Sequence, residues 1–416
     1  MEFNCKCYVV DAICGAGKTT ALINMINNSS EDEKFLYITP FLDEVKRIKE
    51  SCPNKQFKTP RFENGGTKLD SIKRLLSKGE NIVSTHALFQ KFDNATMEII
   101  RLNNYTLVMD EVAQVVDDFP ITEYDYDNLV NTYVDIKEDT KQLVWREEYE
   151  NYKGEFDNYK RLCELGSLVH YGGDKKLMVW LFPISCFNSF TNIYILTYMF
   201  ESQLQSWYYN YYGLPYTYLS VDGNSLDTYR LVSYDDNKSY VKYDYSKLIH
   251  ILDNEKLNRI GDLDYSLSSA WYERNINEPV IIRNLKNNLY NYFRNICSGV
   301  SKDNIWTTFK EYRHKLKGQG YSKGFIPVNS RATNEYKDRT NIAYPVNRFL
   351  NPYVKNFFIS NNIKIDESGW ALSEMLQFIW RSAIREGKEI NVYIPSRRMR
   401  KLLMQWIKEN KLIENE

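Results

Sequence analysis

A chain of 416 residues with 54 Lys and Arg against 54 Asp and Glu is formally neutral. Its length exceeds one ordinary hydrophobic core, so two domains are expected. Neutrality excludes a protein that coats nucleic acid through positive charge spread over its whole surface, and leaves a local groove as the only route to such contact. Charge is uneven along the chain: residues 111–157 are acidic, while 283–323 and 397–401 are basic. Seven cysteines without a Cys-x-x-Cys pair give no metal or disulfide framework and fit reduced thiols in a cytoplasm. No signal peptide is expected before the first motif. The longest apolar run, 177–187, is broken by Pro183 and is too short to span a bilayer.

In chain order, Cys7-Tyr8-Val9-Val10 reads as a strand, followed by a glycine-containing turn and a helix over 18–27. Residues 35–38 form a second strand before a helix over 42–50. The runs 81–83, 106–109, 176–181 and 192–196 repeat the pattern. Short buried runs alternating with helices predict a parallel sheet covered on both faces. The pattern breaks between 119 and 173, where helical spacing at Leu143, Tyr149, Tyr152, Phe156 and Tyr159 predicts a mostly helical insertion. Residues 229–278 read as a loop-rich linker or subdomain. Beyond them a strand is expected at 323–328, a helix at 342–350 and a strand at 389–394. The expected division is therefore 1–228, 229–278 and 279–416.

Two constellations carry chemistry. Ala12-Ile13-Cys14-Gly15-Ala16-Gly17-Lys18-Thr19-Thr20 follows the first strand and opens a helix. Its glycines let backbone N–H groups wrap a phosphate, Lys18 neutralises β and γ oxygens, and Thr19 offers a hydroxyl to magnesium. Gly15, Ala16, Gly17, Lys18, Thr19 and Thr20 are thus the expected nucleotide-binding residues. Asp110-Glu111 ends the strand 106–109, about ninety residues later. Parallel strands line their C-terminal ends along one edge. There Asp110 would hold the metal with Thr19, and Glu111 would take the proton of the attacking water.

These residues resemble superfamily 2 helicases and translocases, in their DEAD/DEAH-like, phage-borne branches. Tyr37-Ile38-Thr39-Pro40 and Ser84-Thr85-His86 are similar to that family's backbone-contacting motifs, and Leu196-Thr197-Tyr198 to its coupling motif. Gln377, Arg381 and Arg385 resemble its Gln-x-x-x-Arg-x-x-Arg helix, although Ile384 stands where the second arginine is expected. A spacing of four would set all three on one helix face. Trp306-Thr307-Thr308-Phe309 and Asn329-Ser330-Arg331-Ala332-Thr333-Asn334 look like second-domain substrate motifs.

The resemblance implies two RecA-like parallel-sheet domains in tandem, using ATP and Mg2+. It implies nucleic-acid contacts at Thr39, Pro40, Ser84, Thr85, His86, Arg331, Thr333 and Asn334, and coupling through Thr197. It also implies catalysis by Lys18, Glu111 and Gln377 with an arginine finger at Arg381 ahead of Arg385. No upstream adenine-reading glutamine motif is expected before Ala12. The expectation is a helicase or translocase on single-stranded or duplex nucleic acid, DNA in preference to RNA, without a membrane partner. It would work in a cytoplasm, that of a host if the gene is phage-borne, and serve replication there. The alternatives are a phage-packaging motor for duplex DNA and a nucleotide-gated switch acting through a protein partner. The acidic insertion fits such a partner, a DNA mimic or a solvated wedge.

Overall fold

The computed structural model describes residues 2–62, 65–173, 176–235, 243–328 and 335–411. Two compact units compose the chain. The first contains Met1–Ala12, Gly17–Asp235 and Asn351–Asp366, and the second Ile13–Ala16, Asp236–Leu350 and Glu367–Glu416.

The first unit is built on strands β1 (Lys6–Asp11), β2 (Lys34–Thr39), β3 (Ile82–Thr85) and β4 (Tyr105–Asp110). Its middle segment adds β5 (Val116–Asp118), β6 (Val134–Ile136), β7 (Leu143–Trp145), β8 (Leu168–Tyr171) and β9 (Leu177–Leu181). The chain then returns through β10 (Asn192–Thr197), β11 (Thr217–Asp222) and β12 (Arg230–Ser233). A seven-stranded sheet runs β12-β11-β1-β10-β4-β2-β3, parallel throughout except for β12 at its edge. Val9, Val10, Phe35 to Ile38, Leu107 to Met109 and Ile195 are fully buried. Both faces of the central strands are therefore covered, which is why they read as unbroken apolar runs. Each such side chain contributes about 1.5–3 kcal/mol on leaving water.

Helices do outnumber strands in residues 119–173, but antiparallel strands organise the segment. β5, β9 and β8 form a three-stranded sheet, and β6 pairs with β7 as a hairpin. Tyr126, Leu129, Trp145, Phe156, Leu162, Leu168 and Met178 close a separate core there. Tyr133 stacks on Trp145 with centroids 5.5 Å apart and planes 9° from parallel. The spacing that suggested a helix arises because Tyr149, Tyr152, Phe156 and Tyr159 converge on this cluster from a turn and a short helix.

The helix Pro352–Ser360 belongs to the first unit, not with the second where chain order puts it. Phe357 packs against Tyr171 and Tyr211 at 5.8 and 5.1 Å, and Phe358 meets Trp207 at 5.8 Å. The Tyr171 hydroxyl donates to the Tyr353 carbonyl at 2.9 Å.

The second unit holds a four-stranded parallel sheet, β13-β16-β15-β14, made of β13 (Ile249–Ile251), β14 (Asn304–Trp306), β15 (Asn341–Ala343) and β16 (Ile390–Tyr393). The expected pair of parallel α/β units is present. The stretch 229–278 supplies β12 to the first sheet and β13 to the second. Two expected elements are corrected. Residues 342–350 are not a helix: Ile342 and Ala343 finish β15, and Pro345 then holds Tyr344 away from helical angles. Residues 323–328 are not a strand, for the chain makes a tight turn at Ser322–Gly324 and bridges β14 only at Phe325. That turn presses Gly324 onto β14, where a Cβ would stand 1.9 Å from the Asn304 carbonyl oxygen. Gly324→Ala should therefore destabilise the protein by about 1–3 kcal/mol through overpacking. Calorimetry should show a lowered melting transition, and an unchanged one would contradict this packing.

Candidate phosphate-binding site

The site begins where β1 ends. Ala12 N–H donates to the Thr197 carbonyl at 3.1 Å, continuing the β1–β10 pairing one residue past the strand. The chain then turns through Gly15 (φ 86°) and Gly17 (φ 90°), both in the left-handed region where a side chain is strained. The helix Lys18–Asn28 starts directly on Gly17, with no side-chain cap and no acidic residue in its first turn. Elsewhere in the same unit the helix Lys68–Ser77 carries a complete Thr67–Asp70 capping box. No side chain caps the start of Lys18–Asn28, and the partial positive charge at that end favours an anion. Lys18 is buried, and its ammonium donates to the Ala12 carbonyl across the turn. Gly15 is exposed, with Thr19 and Thr20 half-buried.

Parallel register brings the other residues to the same edge. Asp11 pairs with Thr197, Leu196 with Asp110, and Thr39 with Thr85. Asp11, Thr39, Thr85, Asp110 and Thr197 are therefore the last residues of five neighbouring strands. Glu111 leaves the edge in a left-handed conformation (φ 71°), with its N–H held by the Leu196 carbonyl at 2.9 Å. A non-glycine residue there stores about 1–3 kcal/mol of strain, a cost that concentrates at functional sites. His86 Nε2 lies 3.1 Å from the Asp110 carbonyl oxygen and ties the end of β3 to that of β4. Thr39, Ser84 and Thr197 are buried, while Pro40 and Thr85 are half-buried.

Burial pushes the Asp110 carboxyl up to about 7, and the charges of Glu111 and Glu44 add to it while Arg47 and Lys18 oppose it. The Tyr37 hydroxyl donates to Asp110 Oδ2 at 3.5 Å, and burial holds that phenol well above its ordinary range. Asp11 is raised by burial too, against the pull of its own hydrogen bonds. Its two oxygens accept the Met199 and Phe200 N–H groups at 2.9 and 2.8 Å, fixing the turn after β10. Gln205 Oε1 accepts the Ala113 N–H at 2.8 Å and fixes the chain beyond Glu111. Sequence reasoning missed Asp11, Tyr37 and Gln205 as supports. Asp11 was visible in position, directly before the turn, but its partners lie nearly two hundred residues on.

The second unit departs from expectation at its arginines. The helix carrying Gln377 is Glu367–Ile379, so Arg381 and Arg385 do not share its face. The Ser382 hydroxyl donates to the Ile379 carbonyl at 2.6 Å, and the Arg381 and Ser382 N–H groups reach only three residues back. A serine that bonds the backbone locally competes with helix continuation. Arg381 is buried in the resulting turn, its guanidinium 5.6 Å from the Phe378 ring centroid, and Arg385 sits in the next tight turn, Ala383–Glu386. Within this unit Gly15 lies beside Arg385: a Cβ on Gly15 would be 3.5 Å from Arg385 Cγ. Thr307 and Thr308 are buried directly after β14, and Gln377 is half-buried. Arg331, Thr333 and Asn334 lie outside the described residues.

Among the described residues, no cluster of three His, Cys, Asp or Glu side chains is arranged to hold a metal. A cation held by Thr19, one carboxylate and phosphate oxygens does not require one, and Asp110 at the sheet edge fits that donor set. No described helix is long and apolar enough to cross a membrane.

Fold and site together define a parallel α/β protein with a glycine turn at an uncapped helix, on the same sheet edge as a paired carboxylate. The chain belongs to the YonV family. It is 42% identical over 413 residues to the SPbeta prophage-derived protein YonV of Bacillus subtilis strain 168, covering 97% of this chain and 99% of that one. Residues 243–407 match the YonV C-terminal Rossmann-like domain and 116–180 the YonV middle domain. Among solved structures, Xpd4 of S. tokodaii is similar at 12% identity and a TM-score of 0.49, over 96% of this chain and 94% of that one. The DUF1998 helicase MrfA bound to DNA and AMPPNP is similar at 10% identity and a TM-score of 0.38, over 97% of this chain and 48% of that one. Likenesses at these scores do not bear on activity.

The raised Asp110 carboxyl has a measurable consequence in magnesium-free buffer. The unfolded state ionises first, so the stability linked to this carboxyl is full below about pH 4 and is lost as pH rises to about 7. Compared with Asp110→Asn, the wild type should lose up to about 4 kcal/mol across that window. Parallel denaturation profiles of the two proteins at pH 4 and pH 7 would contradict the shift.

Proposed function

We propose that this protein is a nucleic-acid-dependent ATPase, a helicase or translocase whose ATP cycle moves it along DNA in preference to RNA. The observation that supports it most is the shared sheet edge. One parallel register gathers the glycine turn, Lys18 and Asp110 with the ends of the Thr39, Thr85 and Thr197 strands. A nucleotide site and strand ends suited to phosphodiester contact therefore belong to one rigid sheet.

In this reading the backbone N–H groups from Gly15 to Thr19 cradle the phosphates and the Lys18 ammonium neutralises the β and γ oxygens. Thr19 and Asp110 hold Mg2+, which when bound draws charge from the phosphate oxygens. Glu111 accepts a proton from water as the water oxygen bonds to the γ phosphorus. The bond to the β–γ bridging oxygen breaks, releasing ADP and inorganic phosphate. Arg381 or Arg385, oriented with Gln377, supplies positive charge to the γ oxygens in the nucleotide-bound state. The position of Arg385 beside Gly15 favours it, whereas Arg381 is buried on Phe378. His86, held against the Asp110 carbonyl, links the edge residues to the hydrolytic carboxylates, and Thr197 shares that role from β10. The relative's prophage origin supports a replication role in a phage or mobile element.

Lys18→Ala should lower hydrolysis by about 10²–10³-fold and weaken nucleotide binding. Glu111→Gln should keep binding and lose about 10²–10⁴-fold in turnover, as expected for a general base. Wild-type turnover in Glu111→Gln would remove Glu111 from that role. Arg385→Ala and Arg381→Ala separate the two finger candidates: the true finger should retain nucleotide affinity while stimulated hydrolysis falls by about 10³-fold or more. The whole reading is tested by ATPase assays with single-stranded and duplex DNA and RNA. Hydrolysis indifferent to every nucleic acid would overturn the motor and leave a nucleotide-gated switch.

A further inference from the structure

The hairpin from β11 to β12 lies on the outer side of β1, and its connection is unusually well braced. The Thr228 hydroxyl accepts the Asn224 and Ser225 N–H groups at 3.1 and 3.0 Å, and Tyr229 N–H returns to the Ser225 carbonyl at 3.2 Å. Arg230 and Asp222 close the mouth with an ion pair at 2.9 Å. Asn24, on the helix Lys18–Asn28, donates to the carbonyls of both Leu226 and Tyr229, at 2.8 and 2.9 Å. The hairpin is thereby fastened to the very helix that opens at the glycine turn.

This bracing delivers one side chain. A Cβ built on Gly17 would fall 2.5 Å from Tyr229 Cε1 and 2.6 Å from Cδ1, so the ring rests directly on the Gly17 Cα. Leu219, Val221 and Leu231 of the same hairpin pack onto the sheet's core cluster, and Tyr229 does not join it. Its ring is half-buried, in a connection whose other residues, 223–228, are exposed. An aromatic face fixed at the phosphate turn and partly open to solvent is a ready surface for a flat, apolar heterocycle.

We propose that the Tyr229 ring is the surface on which the base of a bound purine nucleoside di- or triphosphate stacks, a proposal that rests on the phosphate-loop reading above. Gly17 serves twice, giving the turn its left-handed bend and leaving room for the ring.

The test compares ADP with inorganic tripolyphosphate, which carries phosphates and no base, by calorimetric titration of the full-length protein. Tyr229→Leu keeps apolar bulk on Gly17 but cannot stack, while Tyr229→Phe keeps the ring. Tyr229→Leu should weaken ADP about tenfold and leave tripolyphosphate unchanged, and Tyr229→Phe should bind ADP like the wild type. Equal losses for both ligands in Tyr229→Leu would overturn the proposal, because the ring would then only shape the turn. No loss of ADP affinity would also overturn it. Wild-type protein that binds neither ligand would refute the phosphate-loop reading itself, and this proposal with it. Melting curves of the three proteins establish that each is folded, and Tyr229→Phe alone still decides against stacking if its ADP affinity falls like that of Tyr229→Leu.

Discussion

The parallel hydrogen-bonded register of β1, β10 and β4 is the constraint on which the rest depends. Asp11 opposite Thr197, and Leu196 opposite Asp110, bring together residues 186 and 86 positions apart in the chain. Sliding one strand by a residue would turn every side chain on it to the other face. It would also move Asp110 away from the edge on which the glycine turn opens. The pairing does not stop at the strand ends: Ala12 and Glu111 both donate to carbonyls of β10, at 3.1 and 2.9 Å. The turn and the carboxylate pair are thus hung from the same central strand. A preorganised site needs this kind of support, because its own side chains repel one another or lose solvation there. Burial raises both the Asp110 and the Asp11 carboxyl there.

Much of this was legible in the sequence because it is local. A four-residue apolar run ending in Asp110-Glu111, and another running into Gly15-Ala16-Gly17-Lys18-Thr19, carry their structural context with them. The two α/β units were legible for the same reason. What escaped was set by distant partners. Nothing around Glu111 announces a left-handed backbone, which arises from the Leu196 carbonyl across the sheet. Nothing in the spacing of Gln377, Arg381 and Arg385 shows that Ser382 turns its hydroxyl onto Ile379 and ends the helix before the first arginine. The helix expected at 342–350 is absent for a similar reason. Pro345 and the flanking strands β14 and β16 decide there, and periodicity over so few residues cannot.

The middle segment shows a different limit. The helical spacing of Tyr149, Tyr152, Phe156 and Tyr159 has another origin. Trp145, Tyr149, Tyr152 and Phe156 surround Tyr133 from several short elements, with ring centroids 4.9–5.5 Å from it, and Tyr159 packs on Phe156 at 5.4 Å. Aromatic clustering of that kind gives a small subdomain its own core without a long element of either type. The separate family match over 116–180 agrees with an independently formed piece. Most of its rings pack into that core, while Tyr124 is exposed among the acidic residues of the helix Glu123–Asn128.

The helix Pro352–Ser360 changes the order in which the protein can become complete. It lies between β15 and β16 in the chain, yet Phe357 and Phe358 cover Tyr171, Tyr211 and Trp207 in the first unit. During synthesis the first unit therefore waits, with an aromatic surface unsealed, until more than a hundred further residues have left the ribosome. Nor does any single cut free it whole, because a fragment ending at Asp235 lacks the piece that closes it. The two halves of this chain are interleaved in sequence, and each depends for its finished state on residues made after the other has begun.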